Sequence, residues 1–146
     1  MKYEWANFNE LTPAALYDVL ALRERVFQIE QRCLYPDVDD QDQQAVHLLV
    51  WQAESLVGYL RCNSQGQVIH IGRVVVAISH RGQGIARRMM QCVFERYYAD
   101  MLEISAQMHL QDFYRSLGFM TQGGPYDDYG IMHVTMQRPV MSDGLS

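Results

Sequence analysis

A run of β-branched residues that leads into a glycine turn and then into a helical pattern is the feature that most limits how this chain can fold. Residues 68–78, VIHIGRVVVAI, predict a central strand, because so continuous an apolar run suits a strand covered on both faces. Gly72 inside the run indicates a bulge or a close backbone approach. After the turn at 80–84, apolar residues recur at helical spacing from Ile85 to about Tyr98. The chain therefore predicts a strand, a glycine turn and a helix in succession.

Further strand and helix patterns lie on both sides of this unit. Strands are predicted at 3–8, 46–51, 56–62, 101–107 and 130–137, and helices from Thr12 and Pro13 onward and at 110–117. The strands at 46–51 and 56–62 read as a hairpin, and an acidic loop with Pro36 occupies residues 32–44. We expect an α/β or α+β fold with a mixed central sheet of about six to seven strands and flanking helices. The length of 146 residues suits a single domain spanning 1–146.

Composition excludes several classes of function. The single lysine, Lys2, removes Walker A phosphate loops and enzymes that hold pyridoxal phosphate as a Schiff base. A net charge of −5 disfavours nucleic acid as a partner. No apolar run is long enough to cross a bilayer, so no membrane partner is expected. The N-terminal residues lack the pattern of a secretory signal, which favours a cytoplasmic location.

Cysteine and histidine spacing gives two further expectations. Cys33, Cys62 and Cys92 are odd in number and far apart, which favours reduced, buried thiols over a disulfide framework. The five histidines show no metal-ligand spacing, so we expect no metal site.

The glycine turn carries the residue types of an anion site. A helix that begins here leaves backbone N–H groups free at the positive end of its dipole, where phosphate is commonly held. Gly82 and Gly84 allow close backbone approach, and Arg81 and Arg87 add positive charge. A plain glycine turn before a solvated basic helix face is the alternative at this point. The fingerprint G-x-G-x-x-G of dinucleotide-binding domains fails, because Arg87 stands at its third glycine.

The same turn supplies a resemblance to a known family. Arg81, Gly84 and Ala86 fill the pattern [QR]-x-x-G-x-[GA], which resembles the pyrophosphate-binding motif of the GNAT superfamily of acetyl-CoA-dependent N-acetyltransferases. FYRSLGF at 113–119 looks like that family's F-Y-x-x-x-G-F segment. The segments at 22–42, 71–76 and 126–136 are similar to its ElaA-type branch, so the resemblance covers nearly the whole chain. It departs at Asp40, where that branch often has glycine.

The resemblance implies a co-substrate and a set of residues that would hold it. In this fold the central strand separates from its parallel neighbour, and the backbone there pairs with the pantetheine arm of acetyl-CoA. The implied binding residues are Val74, Val75, Val76, Arg81, Gly82, Gln83, Gly84, Ile85, Ala86, Arg87, Gln107 and Tyr114. The implied function is acetyl transfer to a primary amine of a small molecule or peptide, directly within a ternary complex. The alternative is a GNAT-fold module that binds acyl-CoA for regulation without catalysis, and a homodimer is open in either case.

Transfer to an amine requires proton movements that particular side chains could perform. An ammonium ion cannot attack a thioester, so a base or a water chain must first take its proton. His47 is the leading candidate, since the ordinary pKa of an imidazole is about 6.5, and Glu30 is its rival. Tyr114 matches the tyrosine that often protonates the leaving thiolate in this family, although packing is its other reading.

The charges around the expected acceptor side point in two directions. Aspartates stand at 37, 39, 40, 127 and 128, where a solvated loop surface is the first interpretation and attraction of a cationic amine is the second. Arg73, beside the reacting strand, could instead bind a carboxylate acceptor. The two readings predict opposite substrates, and the sequence leaves both open.

Overall fold

Residues 1–140 are described by a computed structural model, and they form one sheet with helices on both faces. The strands are β1 (Lys2–Asn7), β2 (Val46–Gln52), β3 (Ser55–Gln65), β4 (Val68–Val76), β5 (Met101–Gln107), β6 (Met120–Asp128) and β7 (Ile131–Arg138). The helices are α1 (Pro13–Arg23), which continues as a π-helical segment Glu24–Glu30, α2 (Ile85–Arg96) and α3 (Gln111–Ser116). The predicted single domain includes residues 141–146, which lie outside the described range.

The sheet is mixed, as predicted. In the described residues its order is β1-β2-β3-β4-β5-β7-β6, and every neighbouring pair is antiparallel except β4 and β5. Strands β2 and β3 form the expected hairpin, and β4, α2 and β5 form the expected strand-helix-strand unit. This is the GNAT fold implied by the sequence motifs.

The parallel strands β4 and β5 stay together for only half of their length. Val68–Ile71 pair with Met101–Ile104, and no further β4–β5 pairing occurs within residues 1–140. A bulge lies at the point of separation, where Arg73 and Val74 oppose the single residue Leu60 of β3. Arg73 takes a left-handed φ of 52° there. The bulge that Gly72 indicated is thus confirmed, and it bends β4 away from β5 and leaves one backbone edge of β4 open.

Two apolar cores cover the two faces of the sheet. On one face Ile71 of β4 shares a core with Met89 and Met90 of α2, and on the opposite face Tyr59 of β3 shares a core with Leu22 of α1. Burial on both faces explains the uninterrupted apolar run of β4. The three cysteines are buried and unbridged, as the sequence predicted, and burial raises the pKa of the Cys62 thiol to about 12.

Helix α1 and the sheet edge show one success and one failure of sequence reasoning. The Thr12 hydroxyl accepts a hydrogen bond from the Ala15 amide at 3.0 Å, so the predicted cap of α1 is confirmed. Strand β6 was missed, because Gly123, Gly124 and Pro125 interrupt any apolar alternation. An edge strand that is mostly exposed and, in the described residues, pairs only with β7 tolerates such residues.

Within residues 1–140, no helix has both the length and the apolar composition needed to cross a bilayer.

Candidate active site

Two cavities meet where β4 separates from β5. The glycine-turn cleft, of about 810 Å³, lies between the C-terminal half of β4, residues 80–87 and α3. The loop cavity, of about 630 Å³, lies between the acidic loop, the β4 bulge, β5 and the β6–β7 hairpin. Both cavities are lined by Gln31, Val74, Gln107, Leu110 and Tyr114. The two cavities are therefore adjacent and share these residues at the gap between the strands.

The glycine-turn cleft has the geometry of an anion cradle. Gly82 and Gly84 have φ values of 76° and 79°, in the left-handed region that side-chain-bearing residues rarely adopt. A Cβ added to either would meet no atom within 4 Å, so the space beside the backbone is open. Helix α2 starts immediately after Gly84, and the N–H groups of its first turn have no acceptor within the helix. These groups fit the diphosphate of an acyl-CoA.

The residues implied to hold acyl-CoA come together in this cleft with one exception. The cleft is lined by Val74, Val75, Val76, Arg81, Gly82, Gly84, Ile85, Ala86, Arg87, Gln107 and Tyr114. Gln83 is not among its lining residues. The strand, the turn and the second motif are therefore adjacent in space, as the resemblance implied.

An ion pair links the two sides of the cleft. The Arg81 guanidinium donates to both carboxylate oxygens of Glu30, one of them at 2.8 Å, and its Nε donates to the Val76 carbonyl at 3.0 Å. The hydrogen bonds from Arg81 lower the pKa of the Glu30 carboxyl, which makes Glu30 a weak base. Because the pair is partly exposed it adds little stability, and Arg81 can exchange Glu30 for a phosphate at small cost.

Arg87 places a second cation at the same cleft. Its guanidinium lies over the Phe113 ring, 5.6 Å from the ring centroid, and donates to the Ser116 hydroxyl at 3.2 Å. Both contacts come from α3, so the second motif orients the arginine of the first. Two arginines then face the position that the resemblance assigns to a diphosphate.

Tyr114 lies at the junction of the two cavities. Its ring packs edge-on against Phe113 and Phe119, and only 3% of the residue is exposed. Burial raises the pKa of its hydroxyl, so the group stays protonated at neutral pH. In the described chain the fully buried side-chain polar atoms without a hydrogen bond are Asp37 Oδ1 and Arg73 Nε, which face each other at 3.0 Å as an ion pair. The unpartnered Tyr114 hydroxyl is not among them, so solvent reaches it through the cavities.

His47 lies away from both cavities. It is 1% exposed, its Nε2 lies 2.9 Å from the Asp42 carbonyl oxygen, and its Nδ1 lies 2.5 Å from the Tyr59 hydroxyl. A carbonyl only accepts, so Nε2 carries the proton and Nδ1 accepts from Tyr59. Burial also lowers the pKa of this imidazole. The structure gives His47 no nitrogen with which to meet an amine.

Three arginines and three aspartates tie the acidic loop to the sheet and α1. Arg23 is fully buried and contacts Asp37 at 2.9 Å and Asp42 at 2.8 Å. Arg61 binds Asp42 at 2.9 Å and also binds Asp39. Burial alone would raise the pKa of the Asp42 carboxyl, but its hydrogen bonds with Arg23 and Arg61 leave that pKa lowered. The loop that forms one wall of the loop cavity is therefore held by a mostly buried ionic network.

The charges of the loop cavity favour one of the two acceptor readings. The Arg73 Nε lies 3.0 Å from an Asp37 carboxylate oxygen, and its terminal nitrogen lies 3.2 Å from Asp39, so Arg73 is already neutralised. Asp40 and Asp128 also line the cavity, and within residues 1–140 neither forms an ion pair. The cavity thus presents net negative charge.

Asp40 stands where the ElaA-type branch often has glycine, and its backbone conformation explains how the aspartate is accommodated. Asp40 takes a left-handed φ of 63°, the conformation that glycine adopts most easily. Aspartate is one of the side chains that tolerate this conformation, so the turn is retained. The change from glycine adds a carboxylate to the lining of the loop cavity.

The loop cavity also contains side chains that the sequence analysis did not single out. Polar and aromatic examples are Gln31, Tyr35, Ser105, Tyr129 and His133. They come from separate segments, and only the folded sheet brings them together. The usable signal in the sequence is that residues 22–42 and 126–136 resemble the ElaA-type branch. In the described part of the chain, no three His, Cys, Asp or Glu side chains form a metal-sized group, and the absence of a metal stays a prediction.

Comparisons with known proteins agree with this geometry. The family described as "Acetyltransferase (GNAT) domain" matches residues 11–139. Protein ElaA of Escherichia coli is 35% identical over 149 residues, covering 94% of this chain and 97% of that protein. Its crystal structure superposes with a TM-score of 0.89, at 33% identity over 94% of this chain and 99% of that one.

Two further solved structures extend the comparison. An acyl-CoA N-acyltransferase from Pseudomonas aeruginosa has a TM-score of 0.86 at 32% identity, covering 94% of this chain and 99% of that one. An aminoglycoside 6'-N-acetyltransferase complexed with coenzyme A shares the fold, with a TM-score of 0.73 at 14% identity over 94% of this chain and 97% of that one. The glycine cradle, the separated strands and these similarities lead to one conclusion: the chain belongs to the GNAT acetyltransferase family and is a relative of ElaA.

Proposed function

We propose that this protein is an acetyltransferase that moves the acetyl group of acetyl-CoA to a primary amine within a ternary complex. The observation that carries the proposal is the junction of the two cavities at Val74, Gln107 and Tyr114. Acyl-CoA enters through the glycine-turn cleft and the amine through the loop cavity, so the two reactants meet at the strand gap. The relatives support acyl transfer in general, and the acetyl group, the amine and the direct mechanism are our proposal.

The open edge of β4 positions the thioester. Backbone groups of Val74–Val76 on the β5 side have no strand partner, because β5 has turned away. The Val76 carbonyl accepts from Arg81 instead, and the pantetheine arm would pair with the groups that are left. The bound acyl-CoA supplies an activated thioester carbonyl. A β4 N–H that donates to its oxygen would stabilise the charge that develops there, by about 3 kcal/mol per donor.

The leaving sulfur needs a proton donor. The ordinary pKa of a thiol is about 8.5, so a thiolate leaves more easily when it is protonated as it departs. Tyr114 lies at the strand gap and lines both cavities, and burial keeps its hydroxyl protonated. In our proposal Tyr114 gives this proton.

The acceptor is a cationic amine. The carboxylates of Asp40 and Asp128 attract an ammonium group, and the cation of Arg73 is neutralised by Asp37 and Asp39. The aromatic ring of Tyr129 in the same cavity adds a face for cation–π contact, whereas the Tyr35 ring already lies under the Arg73 guanidinium. An acceptor with two positive charges, such as a diamine or a basic peptide, is therefore preferred to a carboxylate-bearing one.

A thiol-release assay tests the proposal. Purified protein is given acetyl-CoA with diamines, basic peptides, aminoglycosides and acidic amino acids, and N-acetyl products are identified by mass spectrometry. The expected result is amine-dependent thiol release with a cationic acceptor, well above the background hydrolysis. Tight acetyl-CoA binding by calorimetry with background hydrolysis alone would identify a non-catalytic binding module instead. The cytoplasmic location, the homodimer and a single domain spanning 1–146 stay predictions.

A further inference from the structure

His133 occupies a fixed position in the loop cavity. On β7 it pairs directly with Gln107 of β5 and with Tyr126 of β6, and directly paired residues project from the same face of a sheet. Its imidazole stacks on the Tyr126 ring with centroids 6.0 Å apart and an angle of 27° between planes. The Tyr126 hydroxyl is bonded to the Ser105 hydroxyl, which holds this aromatic support in place.

The hydrogen bonding of His133 settles which nitrogen is free. Its Nδ1 lies 2.8 Å from the Ile131 carbonyl oxygen, and a carbonyl oxygen only accepts, so Nδ1 carries a proton. In the neutral ring the lone pair is then on Nε2. The backbone therefore holds His133 in the tautomer that a proton acceptor at Nε2 requires.

The free nitrogen is open to the cavity. Nε2 has no hydrogen-bond partner within residues 1–140, although only 6% of the residue is exposed. Nε2 is not among the fully buried polar atoms that lack a hydrogen bond, so solvent reaches it. Since His133 lines the loop cavity, the access is from the side that receives the acceptor.

Other charged groups around the cavity suit a base at this position. The titratable and charged side chains that line it with His133 are Tyr35, Asp39, Asp40, Arg73, Tyr114, Asp128 and Tyr129. Asp39 is bound to Arg61 and Arg73, which leaves the carboxylates of Asp40 and Asp128 to stabilise an imidazolium.

We propose that His133, and neither His47 nor Glu30, is the base that takes the proton of the acceptor ammonium. This inference rests on the proposed function. In the step, an N–H bond of the ammonium breaks, an H–Nε2 bond forms, and the freed nitrogen lone pair attacks the thioester carbon. As the new N–C bond forms and the C–S bond breaks, Tyr114 gives its proton to the leaving sulfur. The nitrogen releases its second proton to solvent, and Tyr114 regains a proton from solvent. The imidazolium returns its own proton to solvent after the product leaves.

His133→Gln tests the proposal, with His70→Gln as the matched control. Gln keeps a polar side chain but cannot take the proton, so kcat at neutral pH should fall about 100-fold while the affinity for acetyl-CoA is unchanged. The loss should shrink at high pH, where the free amine needs no base. His70 is a partly exposed histidine on β4 that lines neither cavity, and its variant should keep the wild-type pH profile. A wild-type pH profile in His133→Gln would overturn the proposal.

A second measurement does not depend on turnover. Nitrogen-15 NMR of the wild-type protein without acyl-CoA should show His133 protonated at Nδ1, and addition of 1,4-diaminobutane should shift its Nε2 resonance but leave that of His47 unchanged. An Nε2–H tautomer, or an unshifted His133 resonance, would also overturn the proposal. If the wild-type protein releases no thiol with any amine, the proposed function fails while the NMR experiment still judges the place of His133 in the amine site.

Discussion

The two cavities are built in different ways, and the difference explains which one the sequence revealed. The glycine-turn cleft depends mainly on the backbone of one continuous stretch, from Val74 to Arg87, with α3 as its other wall. The loop cavity is assembled from side chains of the π-helical segment, the acidic loop, β4, β5 and the β6–β7 hairpin. A backbone site within one stretch leaves a readable pattern of glycines, whereas a site built from side chains of many separate segments becomes visible only after folding.

Two histidines show the same contrast within one residue type. His47 is protonated at Nε2 and accepts from Tyr59 at Nδ1, so both nitrogens are used inside the core. His133 donates from Nδ1 to a backbone carbonyl and keeps Nε2 free beside a cavity. The position of a histidine within a predicted strand does not show which of its two ring nitrogens will be hydrogen-bonded to a backbone carbonyl.

The largest effect is expected from removing the support of the loop cavity. Arg23→Ala removes the fully buried cation of the network and leaves Asp42 with Arg61 alone and Asp37 with Arg73 alone. Breaking a buried ionic network typically costs about 3–5 kcal/mol of unfolding free energy. Urea denaturation measures the loss. Arg115→Ala removes only an exposed pair with Asp112 and should change stability by less than about 0.5 kcal/mol. A loss below about 1 kcal/mol in Arg23→Ala would show that the acidic loop is held by other contacts.

The next largest effect is expected from a substitution that blocks only the glycine-turn cleft. Gly84→Val places a branched side chain where the diphosphate is expected, and the affinity for acetyl-CoA should fall about 100-fold or more, equivalent to about 2.7 kcal/mol. Gly66→Val is the control, because Gly66 also has a left-handed φ, of 64°, and open space, but lies in the β3–β4 turn. Both variants carry similar backbone strain. If Gly84→Val and Gly66→Val bind acetyl-CoA with equal affinity in calorimetry, the diphosphate does not bind at the glycine turn.

A smaller effect is expected at the junction of the cavities. Tyr114→Phe keeps the ring that packs on Phe113 and Phe119 but removes the proton donor. Turnover should fall about 10-fold, with acetyl-CoA affinity unchanged, because a thiolate can leave unassisted at a lower rate. Steady-state kinetics and calorimetry separate the two quantities. A fully active variant would assign Tyr114 to packing alone.

The smallest effect is expected from removing one negative charge from the loop cavity. Asp128→Asn removes one unpaired carboxylate, so KM for a diamine should rise a few-fold with kcat unchanged, and added salt should reduce the difference. Asp127→Asn is the control, since the neighbouring Asp127 does not line the cavity. The same rise in both variants would indicate a general surface-charge effect and no local site.

Much of the fold was readable from the sequence because its signals are local. The continuous run of β4, the cap of α1 and the glycine turn each depend on neighbouring residues, and each was placed correctly. Strand β6 was missed because its stability comes from pairing with β7 and its own residues carry no apolar pattern. The pairing of Arg73 with Asp37 and Asp39 joins residues more than 30 positions apart, so the opposed substrate readings could be separated only in three dimensions.

A crystal structure with bound coenzyme A tests the central claim most directly. The account predicts the diphosphate against the backbone N–H groups of residues 82–87 and the pantetheine arm along the open edge of Val74–Val76, with the sulfur near Tyr114. A diphosphate bound elsewhere, or a pantetheine arm that does not pass between β4 and β5, would contradict it.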